Sequence, residues 1–122
     1  MWMAQRNRRN IVGEGGSQVG QVTLAGDPAG VFLDGERRDL PVFGPGGYIW
    51  RPAQGADVLV IKTGEDGEAP CVAGQRGEPN WNLAAGEVMI YGGGSSILLQ
   101  RGGIVSISGF LLVNGKEVLT KG

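Results

Sequence analysis

The chain has 122 residues, about one domain by length, with 24 Gly, 6 Pro and a net charge of −1. It has no His and a single Cys, Cys71, which excludes Ser-His-Asp and Cys-His catalysis, His-ligated zinc and an intrachain disulfide. Its 32 Leu, Ile, Val and Phe residues and near-neutral balance exclude an extended disordered coil, and no apolar run approaches the roughly 18 residues of a membrane span.

No useful window carries a helical 3-4 apolar period. Short apolar runs recur instead, broken by Gly, Asp-Gly or Pro, and the expectation is an all-β chain. Residues 1–17 read as an arm. Arg6, Arg8 and Arg9 cluster ahead of Gly13, Gly15 and Gly16, and the segment reads either as a mobile terminus or as one that orders against a partner, with Trp2 and Ile11 as anchors. MWMAQRNRRN has no hydrophobic stretch after its positive cluster, so it does not read as a secretory signal.

Residues 18–75 read as a small barrel. Gln18–Leu24 alternates through Val19, Val22 and Leu24. Val31–Leu33 and Arg37–Val42 flank Asp34-Gly35, a hairpin signal. Gly44-Pro45-Gly46-Gly47 is a turn, and Tyr48–Arg51 reads as a short aromatic strand. Asp57–Thr63 has the β-branched density of a central strand, and Glu65-Asp66-Gly67 turns the chain into Ala69–Ala73. Five or six short strands without a helix predict an OB-like Greek-key barrel. Asp57–Thr63 is expected to pair with Tyr48–Arg51 or with Ala69–Ala73.

Residues 76–86 read as a linker with one apolar anchor, Trp81. In residues 87–122 the runs VMIY, SILLQ, IVSIS and LLVNG are cut by Gly92-Gly93-Gly94, Gly102-Gly103, Gly109 and Gly115. Val105 and Ile107 alternate with Ser106 and Ser108, whereas Ile97-Leu98-Leu99 and Phe110–Val113 are apolar on both faces. One short stretch of chain with no helix cannot enclose that much apolar surface alone. Self-association solves the problem; the competing arrangement is a four-strand meander packed back on the barrel.

The succession of parts resembles a known family. FGPGGYIWRPAQGADVLVIKTGEDGEAPCVAG, residues 43–74, resembles the OB-barrel segment of Mu-type phage baseplate spike proteins, also called baseplate assembly proteins. GEVMIYGGGSSILLQRGGIVSISGFLLVNGKEV, residues 86–118, is similar to the family's β-helical prism. The Gly-Glu-x-x-x-Tyr opening, the Ser-x-Ile-x-Leu and Gly-Gly-x-Val-x-Ile strands and the Val-Asn-Gly turn carry that likeness. The resemblance implies a homotrimer at the central spike of a contractile phage tail or related injection machine. A barrel would dock on the tail hub, and a short intertwined trimeric β-helix would face the cell envelope in transient contact.

It also implies a trimer core of Ile97, Leu99, Val105, Ile107, Leu111 and Val113, and a barrel core that includes Tyr48, Trp50, Val58 and Val60. The chain would be made in the bacterial cytoplasm and assembled into the virion baseplate or an injection particle. Relatives often end in a His-x-His pair that binds iron at the tip. This chain has no His, so a blunt plug or a platform for a separate tip protein is equally in keeping with it.

Other chemistry is less well served. The twelve carboxylates sit mostly in turns, as Asp27, Asp34, Glu65, Asp66, Glu68 and Glu78 do. Cys71 lies in an apolar strand, and the Gly runs lack the Gly-Lys-Ser/Thr of a phosphate loop. The expectation is no enzyme, no metal and no cofactor. The alternative is an OB-fold module for single-stranded nucleic acid, with Trp50-Arg51, Arg37-Arg38 and the arginine arm as its pieces. The sparse aromatics and a pI near 5.4 argue against it, so no nucleic-acid partner is expected.

Overall fold

The structure, a computed structural model, describes residues 16–79 and 81–121. Trp2, Arg6, Arg8 and Arg9, read as partner contacts, lie outside the described residues. Among those described, every regular element is a β-strand, the strands within each sheet run antiparallel, and no helix is long and apolar enough to cross a membrane. The chain divides into two compact units at Gly77/Glu78.

The first unit holds β1 (Ser17–Leu24), β2 (Ala29–Phe32), β3 (Glu36–Leu40), β4 (Asp57–Thr63) and β5 (Ala69–Gln75). Their order across the sheet is β3-β2-β1-β4-β5. The chain leaving β3 then meets β5 through a parallel bridge at Val42 and Val72. Phe43 N–H donates to the Val72 carbonyl at 2.8 Å, and Val72 N–H donates to the Pro41 carbonyl at 2.9 Å. The two outermost strands of the order are thereby joined, and one side of the sheet is dry.

That side is filled by the alternate residues of each strand. Val22, Val31, Leu40, Val58, Val60 and Val72 are each no more than 1% exposed. All are small or β-branched except Leu40, which suits a narrow interior wrapped by five short strands. Val58 and Val60 lie in the interior, on a β4 that pairs with β1 and β5.

Two expectations need correction. Tyr48–Arg51 forms no strand. Both edges of β4 are already taken, by β1 and β5, so a further strand there has no ladder to join. Pro45 and Pro52 also remove donors on either side of the segment. Tyr48 accordingly lies 58% exposed, outside the core it was assigned to. Trp50 does pack against the core, half-buried, but from the connection between β3 and β4. Second, β2 and β3 are joined by the three residues Leu33, Asp34 and Gly35, and neither Asp34 nor Gly35 takes the left-handed conformation that the Asp-Gly signal anticipates.

The second unit holds β6 (Val88–Gly92), β7 (Ser95–Gln100) and β8 (Ile104–Ser108) in one three-stranded sheet, and β9 (Leu112–Val113) with β10 (Lys116–Glu117) in a small hairpin. Its turns are the ones their residues dictate. Gly93 and Gly94 join β6 to β7 with φ of 60° and 90°, and Asn114 and Gly115 join β9 to β10 with φ of 51° and 77°. Positive φ at both central positions is the type I′ pattern of two-residue hairpins, which Gly and Asn reach at least cost.

Val60→Asp should bury an unpaired carboxylate at the centre of the first unit, at a cost of several kcal/mol. Urea denaturation followed by Trp50 fluorescence should show a large drop in midpoint. An unchanged midpoint would mean that β4 is not central.

Candidate functional site: an uncovered apolar sheet face

In an antiparallel sheet, residues directly opposite one another point to the same side. In the second unit Ile90 faces Ile97, and Ile97 faces Ile107. In the neighbouring row Val88 faces Leu99, and Leu99 faces Val105. Six aliphatic side chains thus tile one face in two cross-strand rows. Nothing in this unit covers them: their exposure runs from 39% at Ile97 to 60% at Val105. No described residue of this unit is buried, whereas the first unit holds nine buried hydrophobic residues.

The opposite face is a different surface. It carries Tyr91–Ser96–Ser108, Met89–Leu98–Ser106 and the pair Gln100–Ile104, a mixture of polar and apolar side chains. Ser106 Oγ donates to Gln100 Oε1 at 2.8 Å, and Trp81 stacks on Tyr91 with ring centroids 5.8 Å apart. Ser106, Leu98 and Met89 are half-buried, so this side is better covered than the aliphatic one. The distribution is inverted relative to a soluble sheet, where the aliphatic face is the dry one. Fully burying a Val, Leu or Ile side chain is worth about 1.5–3 kcal/mol, and roughly half of that is ungained at each of the six positions.

Four of the six residues assigned to a trimer core, Ile97, Leu99, Val105 and Ile107, come together on this face. Leu111 lies just beyond β8 and lines an open groove of about 370 Å³ with Ile97 and Ile107. Val113 stands apart, across the small hairpin from Lys116 and 53% exposed. Sequence reading missed Val88 and Ile90. VMIY is apolar throughout, so only register assigns Val88 and Ile90 to this face.

One carboxylate holds the start of this sheet in place. Glu87 Oε1 accepts the Ala84 N–H at 2.9 Å, and Oε2 accepts the Arg101 N–H at 3.0 Å. A single side chain therefore fastens the segment before β6 to the turn between β7 and β8. These two backbone donors, Arg101 first, pull the Glu87 pKa below its ordinary value. In the first unit Glu36 is lowered too, chiefly by the Thr23 hydroxyl, which donates to Oε2 at 2.6 Å, with Arg38 adding its Nε at 3.0 Å. Both carboxylates serve as structural acceptors. Cys71 is a buried free thiol on β5.

Comparison of the chain with protein-family models, with curated proteins and with solved structures finds no match.

The lowered Glu87 pKa fixes the sign of a pH dependence. Its bonds are fully present above the ordinary value of 4.5 and are lost as pH falls through the lower folded value. The amide resonances of Ala84 and Arg101 should titrate together with a midpoint below 4.5, and Glu87→Gln should abolish that titration. Independent titration of the two amides would break the assigned clamp.

Proposed function

We propose that the chain is a non-enzymatic structural subunit that assembles with copies of itself, as the central spike or tip of a contractile phage tail or related injection machine. The carrying observation is the aliphatic face of β6–β8, which one chain leaves wet along both rows. Three copies turning these faces to a common axis form a dry core in which each position brings three identical side chains together. The Gly-rich turns keep the corners narrow enough for that approach.

The finer fold belongs to the same reading. Pairing of β1 with both β2 and β4, together with the parallel bridge between the end of β3 and β5, supports an OB-like barrel for the first unit. The short meander and hairpin of the second unit support a prism built from several chains. The barrel would dock on a tail hub and the prism would face the cell envelope, directly or through a separate tip protein. That assignment rests on the resemblance of residues 43–74 and 86–118 to the baseplate spike family. The competing module for single-stranded nucleic acid is less well served by a net charge of −1 and sparse aromatic residues. A salt-dependent affinity for oligonucleotides would favour it instead.

Light scattering on the purified chain should give three times the chain mass, 12.7 kDa each. Leu99→Asp brings like charges together in one layer of the proposed core and should return the protein to monomers. Ser108→Asp, exposed on the polar face, should leave the mass unchanged. A monomeric wild-type chain, or a trimer that survives Leu99→Asp, would sink the assignment.

A further inference from the structure

The connection between β3 and β4 runs for sixteen residues, 41–56, without a regular element. Connections of this length in a compact unit are characteristically functional. This one is fastened at both ends. Val42 N–H donates to Asp27 Oδ1 at 3.2 Å, alongside the two bonds that tie Pro41 and Phe43 to Val72. At the far end Pro52 is fully buried and its carbonyl accepts the Gly26 N–H, while Val22 exchanges bonds with Gly55 and Ala56.

Across the neck, the Trp50 indole N–H donates to the Phe43 carbonyl at 3.0 Å. Gly44 lies against that ring, where a Cβ would come within 3.0 Å of Nε1. The loop is therefore built to a set shape, and what it holds out is apolar: Tyr48 at 58% exposure and Ile49 at 87%. Ile is among the residues most often buried in folded proteins, and this one contributes nothing to its own core.

The same unit carries a second apolar surface. On the outer side of β1 and β4, Val19 faces Leu59, and Ile61 is the next outward residue of β4. They are 66%, 41% and 39% exposed. Asp57 borders this patch on the same side of β4, and Arg51 borders the loop tip; both are exposed. A convex apolar tip with a cation beside it and an apolar patch with an anion beside it are the two halves of one contact. Each chain carries both, and its own tip stays in water.

We infer that the Tyr48–Ile49 tip of one copy seats on the Val19, Leu59 and Ile61 patch of the next, with Arg51 meeting the neighbour's Asp57. Tip and patch are different surfaces, so the contact is head-to-tail and closes into a ring when the rotation allows it. Because the loop is already ordered, seating it forfeits little conformational freedom. This inference rests on the self-assembly proposed above and adds to it a contact between first units, separate from the β6–β8 face.

The test uses the full chain in a Cys71→Ala background with two engineered pairs, Ile49→Cys with Leu59→Cys and Tyr48→Cys with Ile61→Cys. Light scattering is run on each before mild oxidation. The expected result is covalent dimers and trimers on a non-reducing gel from at least one pair, and from none of the four single-cysteine variants. A particle of trimer mass in which neither pair links overturns the seating and leaves the trimer standing. Linking by Ile49→Cys alone also overturns it, since the tips then meet one another. A monomeric wild-type chain overturns both the seating and the assembly beneath it.

Discussion

A β-sheet has two faces and dries neither by itself. Every stable sheet protein supplies a second layer, by curling the sheet on itself or by packing another element across it. The two units of this chain meet that requirement differently. The first curls: five strands and one parallel bridge at Val42 and Val72 turn a single sheet into its own second layer, and Val58, Val60 and Val72 end fully dry. The second stops at three strands of five or six residues, about 17–20 Å each, too few to curl around their own side chains. Within this unit no second layer covers the aliphatic rows of β6–β8.

Gly serves turns in both units. In the second unit Gly93-Gly94 and Asn114-Gly115 let strands reverse with two residues. In the first unit Gly44 does different work: it lets an indole lie across a loop neck and stiffens a segment that protrudes. The 24 glycines of the composition therefore do not describe a loose chain.

Much of the fold was legible from residues alone. Asp57–Thr63 stands out by its β-branched density and is a strand over the same residues. The punctuation of VMIY, SILLQ and IVSIS by Gly marks β6, β7 and β8 closely. The alternation of Val105 and Ile107 with serines marks the aliphatic face. Pairing was legible only where strands adjoin in the chain, as in β2 with β3 and β4 with β5. Tyr48–Arg51 has aromatic, β-prone residues, and local propensity alone makes it a strand; what denies it is that β1 and β5 already occupy the edges of β4, a fact of topology rather than of sequence. Val88 and Ile90 were hidden for a related reason, since which residues of an all-apolar run share a face follows from register. Glu87 was visible only as part of a Gly-Glu pair, because its partners are backbone donors and backbone donors leave no trace in side-chain pattern.

The ladders of the second unit join only strands adjacent in the chain: β6 to β7, β7 to β8 and β9 to β10. The first unit, by contrast, pairs β1 with β4 across more than thirty intervening residues. Local pairing closes small loops and is fast, on the order of 1–10 μs for a hairpin, whereas distant pairing waits on the closure of a long one. The meander of β6–β8 thus needs no long closure to form, whereas the first unit does. Under the self-assembly proposed above, its aliphatic face would meet its mate by collision, and the yield of assembled protein would depend on chain concentration during synthesis as well as on stability.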